Sequence, residues 1–410
     1  MTVPKRPVEQ SPQARTLSAA SNKLCRSLSA ILKDIPLDWE QPIDLARQLE
    51  LDTNLPRRIA QAVEQETALQ ALSLLPGEDG VEIFIDAVAD MVDGKLIDNA
   101  VEANVKVNEI IRDEVGGRAR LPALLAASIP AARTRVERSA KRAAFKANGQ
   151  LLGCHADLHI STFVLNTNDK EGNNCDALTI NGIRGFWHHG EAVKVPFAAS
   201  YSYAEDGVEQ PDPGLETVTG EPIKEDNYFG LIQEYSSSPL PDFALVADAE
   251  RKHLVLSPKQ KMFTDTHDLL FGLVHRNAPI RESEEDAIKF SLSITPAVPT
   301  KQVVFDVLLH KDAWKDVVPE LGFFRVSSRG LVHADTFDNR HIDQIHFEEH
   351  LEDFKVGALP SIKEMPDYSE MVQSTMEKLG WNPREYRLYR AKIQFPMLFV
   401  QAVMRFVVPK

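Results

Sequence analysis

The spacing of apolar residues changes once along this chain, near Gly149, and that change constrains the fold more than any other feature. Before it, apolar side chains recur every three to four residues, the period of a helix with one buried face. After it, short stretches alternate apolar and polar, the period of a strand. Helical spacing runs over about 17–147, first through Leu24, Leu28, Ile31 and Leu32, then through 43–49, 54–63, 67–75, 81–92, 97–115, 121–127 and 131–146. Leu75-Pro76-Gly77 followed by Glu78-Asp79-Gly80 is a turn cluster, and Gly116-Gly117 reads as a left-handed helix end.

Beyond Gly149 the alternation predicts strands at 150–165, 177–187, 193–203, 243–247, 253–256, 288–294, 303–309 and 323–326. The polar segment 166–175 reads as a turn. The acidic, Pro- and Gly-rich segment 205–224 reads as a long surface loop. Asp367 or Ser369 can cap a helix running to Leu379, with Gly380 as its stop, and 384–408 supplies a final helix or strand pair. The expected fold class is α+β, an N-terminal all-α domain followed by a larger mixed, mainly antiparallel β-rich domain. The expected divisions are a flexible tail at 1–20, a helical domain at 21–130, a basic connector helix at 131–148 and the α+β domain at 149–410. A length of 410 residues suits two or three domains of roughly 100–200 residues each.

A net charge of −14 argues against a surface that binds nucleic acid all over. The charge is unevenly spread. Residues 1–150 hold 20 Lys and Arg against 21 Asp and Glu, so nearly all of the negative excess lies beyond them. Cys25, Cys154 and Cys175 are few, scattered and odd in number, which points to a reducing compartment and a cytoplasmic protein. The first residues lack the apolar core of a secretory signal, and no run approaches the roughly 20 apolar residues of a membrane span.

Within the helical half, Gln41 to Glu64 spells two short helices with a tight turn between them. Ile43, Leu45, Ala46 and Leu49 mark one apolar face, and the small Ala46 allows a close helix crossing. Thr53 and Asn54 can cap the second helix, with Pro56 in its first turn and Ile59, Ala60 and Val63 facing inward. This segment resembles the helix-turn-helix unit of transcription regulators. The resemblance implies a second helix that enters the DNA major groove, with Arg57, Arg58 and Gln61 reading bases. The family pattern usually has Gly in the turn where this chain has Glu50, and an aliphatic residue where it has Pro56. Glu64 and Glu66 would repel phosphate. An ordinary helical hairpin is the other reading of the same spacing.

The segment 131–148 is strongly basic, with Arg133, Arg135, Arg138, Lys141, Arg142 and Lys146 against Glu137 alone. Arg133, Arg138, Lys141 and Arg142 can hold phosphates if that helix faces DNA. Alternatively, Val136, Ala140, Ala143 and Ala144 form an apolar stripe that docks it on the acidic half.

Other motifs carry less. His346-Phe347-Glu348-Glu349-His350 spells the H-x-x-E-H signature of inverted zinc peptidases, but no downstream Glu is well placed as the third ligand. Its surroundings read as a solvated amphipathic helix. Cys154, His155, His159 and Cys175 read as ordinary strand residues, because neighbours in a strand point to opposite faces. His188-His189 meets the same objection. The sequence holds no nucleophile elbow, phosphate loop or dinucleotide-binding glycine pattern, so no catalytic residue, metal or cofactor is expected. The expected function is a DNA-binding transcriptional regulator, acting as a homodimer or other homo-oligomer through a C-terminal dimerisation or ligand-sensing domain, without a membrane partner. The alternative is a self-assembly or protein-interaction protein that does not bind DNA.

Overall fold

Side chains of the N-terminal half form one core around a long central helix. The computed structural model describes residues 12–167, 174–188, 196–199, 202–205, 208–211, 215–224, 226–247, 252–256, 266–279, 287–312 and 317–409. The chain divides into two compact units, Met1–Ser139 and Ala140–Lys410. The first contains α1 (Pro12–Asp34), α2 (Pro42–Gln48), α3 (Asn54–Val63), α4 (Ala68–Leu74), α5 (Glu78–Val88), α6 (Gly94–Asp113), α7 (Leu121–Ser128) and the start of α8 (Pro130–Leu152). Leu17, Leu24, Leu28, Ile31 and Leu32 form one buried stripe on α1, which packs against α3, α4 and α6. Each buried Leu or Ile of such a stripe contributes about 1.5–3 kcal/mol. Thr67 caps α4 in a reciprocal capping box with Gln70. Gly116, at φ +82°, ends α6 as the sequence predicts, and the Gly117 N–H returns to the Ile111 carbonyl at 2.8 Å.

Among its described residues the second unit holds two large facing sheets, two smaller ones, the end of α8 and one further α-helix. Its strands are β1 (Cys154–Thr167), β2 (Asn174–His188), β3 (Pro196–Ala199), β4 (Ser202–Glu205), β5 (Val208–Pro211), β6 (Leu215–Thr217), β7 (Phe243–Ala247), β8 (Lys252–Leu256), β9 (His267–Pro279), β10 (Ala287–Ile294), β11 (Thr300–His310), β12 (Glu320–Arg325), β13 (Gln344–Ile345), β14 (Leu351–Asp353), β15 (Tyr386–Gln394) and β16 (Val400–Pro409). The main sheet runs β14-β15-β11-β1-β2-β9-β6, and among its described strands β1–β11 is the one parallel pairing. A four-stranded sheet runs β10-β16-β12-β13. A three-stranded sheet (β3-β8-β7) and the β4–β5 hairpin complete the described strands.

Alternation along β1 decides what each face of the main sheet meets. Leu158, Ile160 and Val164 point to one side and join Val304, Leu308 and the buried face of α9 (Tyr368–Lys378), where Met371, Val372 and Met376 lie. Phe305 and Val307 of β11 point to the other side and pack against Phe290, Met404 and Phe406 of the four-stranded sheet. Phe290 and Phe406 stack at 4.6 Å between ring centres. The order is therefore helix, sheet, sheet, and the α+β class is as the sequence predicts.

Several elements differ from the sequence reading. Residues 12–20 of the expected tail are helical, and 150–152 extend α8 where a strand was expected. The segment 340–354 is turns and two short strands instead of an amphipathic helix, so the two histidines of H-x-x-E-H do not share a helical face. The expected loop at 205–224 contributes β5 and β6, and the latter edges the main sheet. The expected strand at 193–203 lies partly outside the described residues. Strand β9 was not foreseen, although it lies between β2 and β6.

Candidate functional site

Among the described residues, three places gather chemistry: the α2–α3 turn, a charged cluster inside the main sheet, and a cavity beside it. At the first, α2 ends at Gln48 and α3 starts at Asn54. The connection is held by backbone. The Leu51 N–H donates to the Ala46 carbonyl at 2.8 Å, and Glu50 between them sits in the left-handed region at φ +54°. Asp52 then accepts the Asn54 N–H at 2.8 Å, starting α3. Ala46 is fully buried, as the close crossing requires. Pro56, Ile59, Ala60 and Ala62 form the inner face of α3, while Arg57, Arg58 and Gln61 are exposed. Val63, expected inside, is half-buried, and Ala62 takes the deeper place.

The basic side chains are not equivalent. Arg57 donates to Asn54 Oδ1 on its own helix at 3.0 Å. Arg58 is tied to the end of α4, with Nε to the Leu74 carbonyl at 2.9 Å and Nη2 to the Leu75 carbonyl at 2.8 Å. It satisfies carbonyls that a helix end leaves open. Arg133 and Arg138 are exposed on α8 within the first unit, and Arg142 is exposed within the second. Lys141 leaves the expected phosphate-binding set. It is 4% exposed, paired with Glu349 at 2.6 Å, and its ammonium lies 3.7 Å from the Phe347 ring centre. The buried side of α8 in this unit therefore runs through Lys141 and Phe145, whose ring meets Phe395 at 5.5 Å, while Ala140 and Ala143 of the expected apolar stripe are exposed. Glu349 of the H-x-x-E-H signature is the carboxylate that holds Lys141. Among the described residues, no three His, Cys, Asp or Glu side chains converge as metal ligands.

The charged cluster spans three adjacent strands. Thr162 on β1 pairs in register with Asp306 on β11, and Asp306 pairs with Arg390 on β15. Arg390 grips Asp306 with Nε at 2.8 Å and Nη2 at 2.6 Å, and donates through Nη1 to the Pro360 carbonyl at 3.1 Å. The Tyr368 hydroxyl of α9 donates to Asp306 and lies 2.9 Å from Thr162 Oγ1. Burial, reinforced by the Asp306 charge, holds the Tyr368 phenol protonated far above its ordinary range. All of these side chains are sealed from solvent, so the cluster fixes α9 on the sheet and presents no reactive group outward.

The opposite face of the sheet carries the cavity. It measures about 710 Å³ and lies between β1, β2, β6 and β9 and the end of β10 with the loop after it. His159 and Ser161 of β1 line it together with Thr179 and Asn181 of β2. Ser161 Oγ donates to Asn181 Oδ1 at 2.8 Å. Burial lowers the His159 imidazole to about 4, and its Nδ1 is sealed without a hydrogen-bond partner. Sequence reasoning treated His159 as an ordinary strand residue. The i, i+2 recurrence of His159, Ser161 and Phe163 was a signal for a half-polar inner face. The thiol of Cys154, buried elsewhere, is pushed up to about 11 and is not a nucleophile at neutral pH.

No family model matches the chain, and no curated protein does. A provisionally assigned protease from Parabacteroides distasonis ATCC 8503, solved as a crystal structure, is similar over 62% of this chain at 7% identity, with a TM-score of 0.27. The chain spans 40% of the length of that protein.

Proposed function

We propose that this chain is a DNA-binding transcriptional regulator that works in the cytoplasm, with α3 as its groove-entering helix. The observation that carries the reading is the α2–α3 turn. Its left-handed Glu50 and the Leu51-to-Ala46 hydrogen bond set two short helices at a tight corner, with Arg57 and Gln61 exposed on the second. Left-handed backbone at that point is the conformation for which the resembling regulators use Gly. Guanidinium forks suit guanine edges and phosphates, and the Gln amide suits adenine. Arg133, Arg138 and Arg142 are proposed phosphate contacts, and Arg58 is a contact that also holds α4. One such module makes few contacts, so a homodimer or larger homo-oligomer is part of the proposal, with the second unit dimerising or sensing a ligand. Among the described residues, no helix is long and apolar enough to cross a membrane, and no membrane partner is proposed.

The test is equilibrium binding of the full chain to genomic DNA fragments over a series of salt concentrations. Arg57→Ala and Gln61→Ala, both at exposed positions of α3, should each lose about 1–3 kcal/mol of binding. Each phosphate contact removed should flatten the salt slope by about one. Absence of DNA retention at low salt overturns the reading. The alternative, self-assembly without DNA binding, draws support from Val101 and Val105, both exposed one turn apart on α6. A large assembly indifferent to salt and DNA would favour it.

A further inference from the structure

We infer that the cavity beside the main sheet is a binding site for an uncharged, largely apolar small molecule carrying a hydrogen-bond acceptor such as a carbonyl or hydroxyl oxygen. This inference stands on the second unit alone and holds whether or not α3 reads DNA. Three observations carry it. First, the size is that of a ligand site: about 710 Å³ lies within the roughly 300–1,000 Å³ typical of small-molecule pockets, with room for about two dozen waters at liquid density. Second, no Asp, Glu, Lys or Arg is among the described residues that line it. Against those described walls a charged ligand would lose hydration without gaining a carboxylate, ammonium or guanidinium partner, whereas a neutral one would be stabilised by Phe163, Leu269 and Phe271.

Third, a small set of polar groups gathers on one wall. Asn181 accepts the Ser161 hydroxyl through Oδ1, which leaves its amide NH₂ as the donor for a ligand oxygen. Its neighbour across the strand pair is Ser161, and His159 lies two residues before that serine on the same face. Burial keeps the His159 ring neutral, so it adds one further donor or acceptor without adding charge. Apolar walls with a few convergent polar groups are the usual make-up of a specific pocket. Here the polar groups come from two neighbouring strands, β1 and β2, whose pairing holds them at fixed spacing.

The experiment titrates the full chain with two dyes that share one ring skeleton, neutral N-phenyl-1-naphthylamine and anionic 8-anilino-1-naphthalenesulfonate. The expected result is saturable one-to-one binding of the neutral dye, with the anionic dye about tenfold weaker or worse. Ala177→Phe and Thr179→Phe, which fill the cavity from β2, should abolish neutral-dye binding. A neutral dye that does not saturate, an anionic dye that binds as tightly, or unchanged binding in either variant with native near-ultraviolet circular dichroism overturns the inference. If neither variant folds, the comparison of the two dyes on the wild-type chain decides it alone.

Discussion

Arg390 and Asp306 face each other directly across β15 and β11, joined by two parallel hydrogen bonds, and neither side chain is exposed. A two-pronged pair in that setting holds register, because a slip of one residue between β11 and β15 would turn one charge to the apolar opposite face and leave the other unpaired. Removing one partner leaves the other charge buried and unpaired. Arg390→Met or Asp306→Leu alone should destabilise the second unit by about 3–5 kcal/mol. The double variant should recover much of that loss, because a buried pair can often be replaced by apolar residues of similar volume. Urea unfolding of the four proteins measures both effects, and a double variant as unstable as the singles would contradict the account.

Tyr368 binds the same carboxylate from α9 and couples helix to sheet. Tyr368→Phe should cost about 1–3 kcal/mol, because Asp306 loses a donor and Thr162 a partner in a site closed to water. Chemical denaturation monitored at α9 through Trp381 fluorescence should report this loss in the same transition as the rest of the sheet.

Glu50 occupies a left-handed conformation that disfavours any side chain bearing Cβ. Glu50→Gly should therefore stabilise the first unit by up to about 1 kcal/mol, with the α2–α3 corner unchanged. A raised thermal midpoint is the expected outcome. Destabilisation would mean that the Glu50 side chain makes an interaction worth more than the backbone strain.

Much of the first unit was legible because its helices are amphipathic: the stripe of α1 through Leu17, Leu24, Leu28 and Ile31 is written at helical spacing and buried as such. Strand β9 was not, for a physical reason. Leu269, Leu270, Phe271, Leu273 and Val274 run apolar on both faces because one meets the α9 core and the other borders the cavity or neighbouring loops, so alternation is absent. Gly272 in its middle reads as a breaker, yet it is there for close approach. A Cβ at that position would collide with Val218 and come within 2.9 Å of Ile232, and its N–H donates to the Gly230 carbonyl at 2.9 Å. Likewise, Asp306 and Arg390 are 84 residues apart in sequence, and only the pairing of β11 with β15 brings them together. The cavity draws its walls from positions between His159 and Val298, a constellation that no local motif encodes.

His159 gives the second unit a definite pH dependence. In the unfolded chain its imidazole takes up a proton near 6.5, whereas burial in the folded chain delays uptake to about 4. Between those values the unfolded state binds more protons, so acid favours unfolding. The stability in question is fully present above pH 6.5 and is lost as the pH falls toward 4. A shift of that size corresponds to about 2–3 kcal/mol across the window. His159→Phe, which cannot titrate, should remove this part of the acid sensitivity. The difference in unfolding free energy between variant and natural chain should therefore move by that amount between pH 7 and pH 4. If the two chains lose stability in parallel, the ring takes up its proton in the folded state at the ordinary pH, and the wall of the cavity is wetter than its geometry implies.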